Sequence, residues 1–249
     1  MLVEVIKVGG EVLDRVDRLA EALPDEAVIV HGGGPEVSRT MEELGLEPRF
    51  VKGLRVTDVE TLRVVIMVLA GHVNKRLVAG LRAHGVDAVG LSGVDGGLLL
   101  AEKRVERVDG EEVDLGYVGD VKAVNVDLLR ALLRDGRVPV IAPLGVDERG
   151  TIYNVNADTA AGAIAAEAGA DRLVLLTDVP GVLEDVDDPD SVIERLTPEE
   201  ARRLRREGVI KGGMIPKVEA AIRAVESGCR EAIVTNLSGL LSGEGTVIR

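Results

Sequence analysis

Twice within the first 45 residues, a short apolar run rich in β-branched residues ends on consecutive glycines and gives way to a helical pattern. Residues 3–8 run into Gly9-Gly10, and residues 28–30 run into His31-Gly32-Gly33-Gly34. Runs this short and this continuously apolar suit strands covered on both faces, and such strands belong to parallel sheets flanked by helices. The alternation of strand and helix therefore points to an α/β fold with a largely parallel sheet. Pro35 falls in the first turn of the second helix, where a missing N–H costs nothing, and Gly45 reads as its C-terminal cap.

The same rhythm continues. Residues 49–56 look extended. Residues 58–83 carry the longest helical pattern, with Leu62, Val65, Ile66, Leu69 and Val73 on one face and with Gly71 and Gly80 inside it. The two glycines predict close packing or a break. Residues 88–91 read as a strand. Residues 98–125 alternate and carry Asp109-Gly110, a hairpin signal that predicts an antiparallel flap at one edge of the sheet. Strands are expected at 138–142, 173–176 and 231–235, and helices at 11–23, 157–168, 198–207 and 213–227. The polar stretch 147–154 comes nearest to a hinge. Two lobes sharing one continuous sheet are expected, with residues 1–150 as the N-lobe and 151–249 as the C-lobe.

A chain of 249 residues is long enough to bury a substantial core in one large domain or two small lobes. Its 43 acidic against 30 basic residues give a net charge of −13, a field that repels nucleic acid and anionic membranes. The single cysteine, Cys229, rules out an internal disulfide and favours a reducing, cytoplasmic setting. No unbroken apolar run approaches the roughly 18 residues of a membrane span. Seven Lys against 23 Arg, five Asn and no Gln suggest a heat-adapted host or a salty cytoplasm.

Several familiar chemistries are excluded. There is no G-x-x-x-x-G-K-[ST] phosphate loop, no G-x-G-x-x-G fingerprint and no Cys/His spacing for zinc. The three histidines are scattered, and His31 reads as a structural residue. What remains is a set of glycine-rich turns at predicted strand ends, where open α/β sheets bind ligands. Lys7 precedes Gly9 and Gly10, so a full positive charge joins a turn whose amides form an anion site. Three successive glycines at 32–34 indicate close approach to the main chain. Arg55, between an extended segment and a helix capped by Thr57 or Asp58, is placed to fork onto a carboxylate. Asn154, Asn156 and Asp158 put two amides and an acid at the start of the Ala-rich helix, more polarity than one cap requires. Lys217 opens another helix, against the dipole, which makes sense if it faces an anion. Asp178, Val179, Pro180, Gly181, Val182 and Leu183 form an apolar loop suited to a flat heterocycle. Two lysines, an arginine, glycine amides and one acid, without an obvious base, fit phosphoryl transfer, which depends on positioning and charge neutralisation.

Taken in order, KVGG, IVHGGGP, FVKGLRVTD, NVNADTAA, TDVPGVL and GGMIPK resemble the amino acid kinase family over essentially the whole chain. More narrowly, they resemble its branch acting on N-acetyl-L-glutamate in arginine biosynthesis. The resemblance implies an open three-layer αβα sandwich with a mainly parallel sheet, an N-lobe for the acyl substrate and dimerisation, and a C-lobe for ATP. It implies ATP-dependent phosphorylation of the γ-carboxylate of N-acetyl-L-glutamate, with Mg2+. By the same carry-over, Lys7 and Lys217 stabilise the transferring phosphoryl group and Asp158 holds both lysines. Gly9, Gly10, Gly33 and Gly34 surround the phosphoryl group and acceptor, Arg55 pairs with the acceptor's α-carboxylate, and Asn154 binds its amide region. Residues 178–183 together with Val209, Ile210 and Lys211 line the nucleotide site. Lys211 departs from the family pattern, which often has a small polar residue there. No protein metal ligands are expected. The strand beginning at residue 2, without the N-terminal helix of arginine-inhibited hexamers, leads to the expectation of an arginine-insensitive homodimer. The main rival acceptor is glutamate or aminoadipate attached to an acidic carrier protein; a non-catalytic nucleotide-binding regulator is the rival of another class.

Overall fold

The computed structural model describes residues 3–108 and 110–249. In chain order the strands are β1 (Glu4–Val8), β2 (Ala27–His31), β3 (Phe50–Val51), β4 (Leu54–Arg55), β5 (Ala88–Ser92), β6 (Leu99–Lys103), β7 (Glu106–Val108) and β8 (Glu111–Val113). They continue as β9 (Val118–Val124), β10 (Val138–Ala142), β11 (Leu144–Val146), β12 (Ile152–Val155), β13 (Arg172–Leu176), β14 (Arg195–Leu196), β15 (Glu231–Thr235) and β16 (Thr246–Ile248). The α-helices are α1 (Val16–Ala22), α2 (Gly34–Glu43), α3 (Val59–Ile66), α4 (Asn74–Ala83), α5 (Val126–Arg134), α6 (Ala157–Ala168), α7 (Pro198–Arg206), α8 (Met214–Glu226) and α9 (Leu237–Ser242).

The main sheet has eight strands among the described residues, in the order β14-β16-β15-β13-β1-β2-β10-β5. Every neighbouring pair is parallel except β15 and β16. The sheet is continuous across the middle of the chain, since β1 pairs with β2 on one side and β13 on the other. Side chains alternate across it. Val5, Val28, Val30, Leu173 and Leu175 join a core with α6 and α8, while Ile6, Val8, Ile29, Val174 and Leu176 join a second core with α1, α4 and α9. This is the three-layer αβα sandwich.

The expected edge flap is different in kind. β6 and β9 pair antiparallel, as the alternation implies, but close with β11 and β12 into a small four-stranded barrel. β11 and β12 had no signal of their own: they are three and four residues long. A second hairpin, β7–β8, projects from the β6–β9 connection; Asp109, in the expected turn, lies outside the described residues. Of the polar stretch 147–154, residues 147–151 form the turn of the β11–β12 hairpin, where the Asp147 carboxylate accepts from the amides of Arg149 and Thr151, and 152–154 belong to β12.

Two expected helices are irregular. The first, read at 11–23, is a 3-10 turn over Gly10–Asp14 followed by α1, because Arg15 leaves the helical region at φ −134°. The long pattern at 58–83 is one run, Val59–Ala83, whose middle, Met67–Val73, is π-helical and contains Gly71. Gly80 meets the expectation of close packing: a Cβ there would lie 2.9 Å from Val16. By length and composition this run could cross a membrane, with a mean hydropathy of 1.5, yet its buried side chains pack into the protein. Val64, Val65 and Leu69 pack with Val37 and Met41 of α2, and Leu77 and Leu81 pack under the sheet.

Candidate active site

Lys7 sits at the C-terminal end of β1, two residues beyond Val5, and so faces the same side of the sheet, toward α6 and α8. Asn156 caps α6 by accepting from the Thr159 amide at 3.0 Å. Asp158, relieved of that task, projects from the first turn into the space below Lys7. The Lys7 ammonium lies 3.1 Å from Asp158 Oδ1. Lys217, in the second turn of α8, lies 3.4 Å from both carboxylate oxygens. All three side chains are nearly buried, with 10%, 8% and 14% exposure for Lys7, Asp158 and Lys217. Residues 7 and 217 thus meet on one carboxylate.

Two ammonium groups meet on the Asp158 carboxylate. Burial pushes Asp158 toward the neutral form, but Lys7 and Lys217 outweigh it and hold the carboxyl below its usual range. Lys217 is pushed below the usual lysine range, first by burial and then by Lys7, against the pull of Asp158. An incoming anion relieves that strain. The first turn of α8 has no side-chain cap and no acidic residue.

Two glycine turns adjoin the lysines. Gly9-Gly10 follows β1 and Gly32-Gly33 follows β2, and the Gly32 amide donates to Val8 at 2.8 Å. Two of these positions are crowded. A Cβ on Gly10 would stand 3.1 Å from the Glu36 carboxylate, and one on Gly33, at φ +147°, would strike Leu69 at 2.7 Å. Gly34 opens onto free space. His31 anchors the second turn. It is 1% exposed, its Nδ1 donates to the Gly32 carbonyl and its Nε2 accepts from Asn74. Burial lowers its pKa to about 4, which fits a neutral structural imidazole. Asn74 ties this turn to β10 through the Val140 carbonyl, a link no sequence motif signalled.

Beside the lysine cluster is a cavity of about 190 Å³ lined by Gly33, Gly34, Arg55 and Asn154, so the four expected acceptor residues share one pocket. Phe50, Leu54 and Val65 add apolar walls that the sequence reading did not single out. The pocket draws on both sides of residue 150, because Asn154, Val155, Asn156 and Ala157 complete it next to Asp158. Arg55 is 8% exposed and donates to the Gly34 carbonyl at 2.9 Å and to Ser38 Oγ at 2.8 Å, with Met41 Sδ at 3.3 Å. Its guanidinium lies 4.7 Å from the Phe50 ring centre. None of these partners is a carboxylate, and burial lowers its pKa. Asn154 donates to Thr57 Oγ1 at 3.1 Å, while Asp58 caps α3 through the Thr61 amide.

The expected nucleotide residues lie on two loops. Residues 178–183 follow β13, next to β1 in the sheet, but only Asp178, Val179 and Pro180 reach solvent. Gly181, Val182 and Leu183 are buried, with the Val182 amide held by Thr246 Oγ1 and its side chain in the core. The apolar side chains of that half-loop pack into the protein. Val209, Ile210 and Lys211 lead into α8; Ile210 is buried, its amide held by Leu204, whereas Lys211 is exposed.

The sequence profile of the amino acid kinase family matches residues 3–236. The chain belongs to the amino acid kinase family. Among members of that family, acetylglutamate kinase of Methanopyrus kandleri is 70% identical over 246 residues, covering 99% of this chain and all of the relative. Acetylglutamate kinase of Methanothrix thermoacetophila is 48% identical over 238 residues, covering 92% and 82%. The crystal structure of smu.665 from Streptococcus mutans UA159 superposes with a TM-score of 0.80 at 32% identity, covering 99% of this chain and 98% of that one.

Proposed function

We propose that this amino acid kinase transfers the γ-phosphoryl group of ATP to the γ-carboxylate of N-acetyl-L-glutamate, a step of arginine biosynthesis. One carboxylate oxygen bonds to phosphorus as the bridge to the β-phosphate breaks, giving an acyl phosphate and ADP. The observation that carries this reading is the pairing of two cationic sites: Lys7 and Lys217 meeting on Asp158 and, in the adjoining pocket, Arg55 held by the Gly34 carbonyl and Ser38 Oγ. An acceptor with two carboxylates matches both.

No general base is needed. A carboxylate with a pKa of about 4 is ionised at pH 7. The obstacle is repulsion between two anions, and Lys7 and Lys217 neutralise the transferring group in a site where water is scarce. Asp158 keeps the two ammonium groups from driving each other apart. Arg55 takes the α-carboxylate, and Asn154 the amide region. Residues 178–180, with Val209 and Lys211, border the nucleotide. Among the described residues no group of three or more His, Cys, Asp or Glu could hold a metal ion, and Asp158 is committed to two lysines. Mg2+ would enter on the phosphates of the nucleotide.

The same reading has the N-lobe hold the acceptor and the C-lobe the nucleotide, in a cytoplasmic homodimer. Exposed Val59 and Met67 on the long helix, 48% and 56% accessible, support a face covered by a second copy. Light scattering should give twice the chain mass; a monomer would remove the dimer. The activity is tested by ADP release with N-acetylglutamate, glutamate, N-acetylaspartate and glutamate on an acidic carrier protein. N-acetylglutamate should be the preferred acceptor, and preference for any other would overturn the reading.

A further inference from the structure

The acceptor pocket depends on a hairpin that the main sheet does not support. β3 and β4 pair only with each other, Phe50 opposite Arg55, yet they carry Phe50, Leu54 and Arg55 into the pocket. The base of the hairpin is fixed: the Thr57 amide donates to the Leu115 carbonyl at 2.9 Å and the Tyr117 amide to the Thr57 carbonyl at 2.6 Å. Its tip is Lys52-Gly53, both with positive φ, at 47° and 78°. Lys52 is the single described residue other than glycine in that region, where asparagine or glycine is the favoured choice.

The Lys52 side chain accounts for the choice. Its ammonium donates to Glu106 Oε1 at 3.2 Å and to the Arg107 carbonyl, both on the β7 strand of the second hairpin. Glu106 is held in turn by Arg104, through Nε at 3.1 Å and Nη2 at 3.0 Å, and Arg104 reaches Asp120 of β9 at 2.7 Å. Glu106 is only 14% exposed at its side chain and is held below the usual carboxylate range, first by Arg104 and then by Lys52 against burial. A relay of charges thus runs from the barrel, through Arg104 and Glu106, to the tip of the pocket hairpin.

We propose that Lys52 and Glu106, braced by Arg104, form a latch by which the β7–β8 hairpin sets the position of Phe50 and Arg55 over the acceptor pocket. These are positioning residues, since none lines the cavity. The latch rests on the acceptor reading only for what occupies the pocket. It assigns a task to the β7–β8 excursion, which contributes no strand to the main sheet or the barrel. The latch acts on the acceptor and not on the nucleotide, because the segment it holds contains no residue of the lysine cluster.

Three variants separate the latch from the turn. Lys52→Asn suits the left-handed backbone better than lysine but cannot reach Glu106; Lys52→Met loses the charge and keeps the length; Lys52→Arg keeps the charge. An ion pair of this exposure supports an effect of about two- to fivefold. Lys52→Asn and Lys52→Met should raise the KM for N-acetylglutamate by about that factor, with kcat and the KM for ATP unchanged, and Lys52→Arg should restore it. In the ligand-free protein, amides of residues 51–55 should exchange about two- to fivefold faster in Lys52→Met and Lys52→Asn. A wild-type acceptor KM in Lys52→Asn, an equal rise in the KM for ATP, or unchanged exchange would overturn the latch. If no variant, nor the wild type, turns over N-acetylglutamate while exchange still speeds up, the acceptor reading fails and the latch stands.

Discussion

The lysine cluster and the pocket beside Arg55 are neighbours, but they are built differently. Lys7, Asp158 and Lys217 project from a central strand and the first two turns of two helices, all three packed on one face of the main sheet. Arg55 and Phe50 project from a two-stranded hairpin braced by surface charges and one neutral loop. The first arrangement moves only if the core moves. The second has no strand of the main sheet behind it and depends on the contacts of Arg55 and on the charges at its tip. Chemistry common to a family sits well on the rigid part, and choice of acceptor on the adjustable part.

Replacing Lys217 with alanine should break the centre with the largest effect, a fall in kcat on the order of 10²-fold or more, the range for losing one preorganised charge contact. Asp158 keeps Lys7 as its partner, and the charge removed is one that burial disfavours. The melting temperature should therefore hold or rise while turnover collapses, a stability–activity trade-off. Unchanged kcat, measured by ADP release, would detach Lys217 from the reaction. Replacing Arg55 with leucine should act on the other side of the comparison. Charged hydrogen bonds contribute about 1.5–3 kcal/mol, so the KM for N-acetylglutamate should rise about 10- to 100-fold with a smaller change in kcat. A dominant loss of kcat would mean that the two regions are not separable in this way.

Acidity and alkalinity probe the rigid part from opposite ends. Lys217 titrates below the usual 10.5, so activity should fall on the alkaline side before a free lysine would lose its proton, and Lys7 variants should move that limb upward. His31 acts on stability. Its folded pKa of about 4 lies below the 6.5 of a free imidazole, so the unfolded chain binds the extra proton between those values. Stability should drop by about 3 kcal/mol as pH falls from 6.5 to 4, and His31→Leu should flatten that slope in denaturant titrations. An unchanged slope would place the acid sensitivity elsewhere.

Much of the rigid part was legible from residue order alone. β1, β2, β10, α6, β13 and β15 follow from apolar runs and glycine punctuation, and Lys7 inherits its direction from the alternation that begins at Val5. The meeting of Lys7, Asp158 and Lys217 was not contained in spacing; it came from the resemblance, and only the sheet order explains it. The adjustable part was largely hidden. β3 and β4 fall within residues 49–56, which read as extended, but nothing marked the turn between them; β11 and β12 are three and four residues long, too short for a period to appear. The barrel is made by pairing between distant segments, which leaves no local trace beyond alternation. Arg15 breaks the first helix without glycine or proline to mark the place. The burial of residues 181–183 left no mark in the sequence, because apolar residues after a strand look alike whether they face a ligand or Thr246.

The smallest effect is expected where the comparison is most easily misjudged. Lys211 looks like a third phosphate ligand by charge and by nearness to Lys217 in sequence, but its side chain is exposed, and it stands before the turn at Gly212 rather than on α8. An exposed charge acts through water and salt, and such contacts contribute roughly 0.2–1 kcal/mol. Lys211→Ala should leave kcat unchanged and raise the KM for ATP no more than about fivefold, an increase that 0.5 M salt abolishes. A kcat loss comparable with that of Lys217→Ala would show that the loop at 209–211 folds inward during turnover, and that the rigid centre has a mobile third cation.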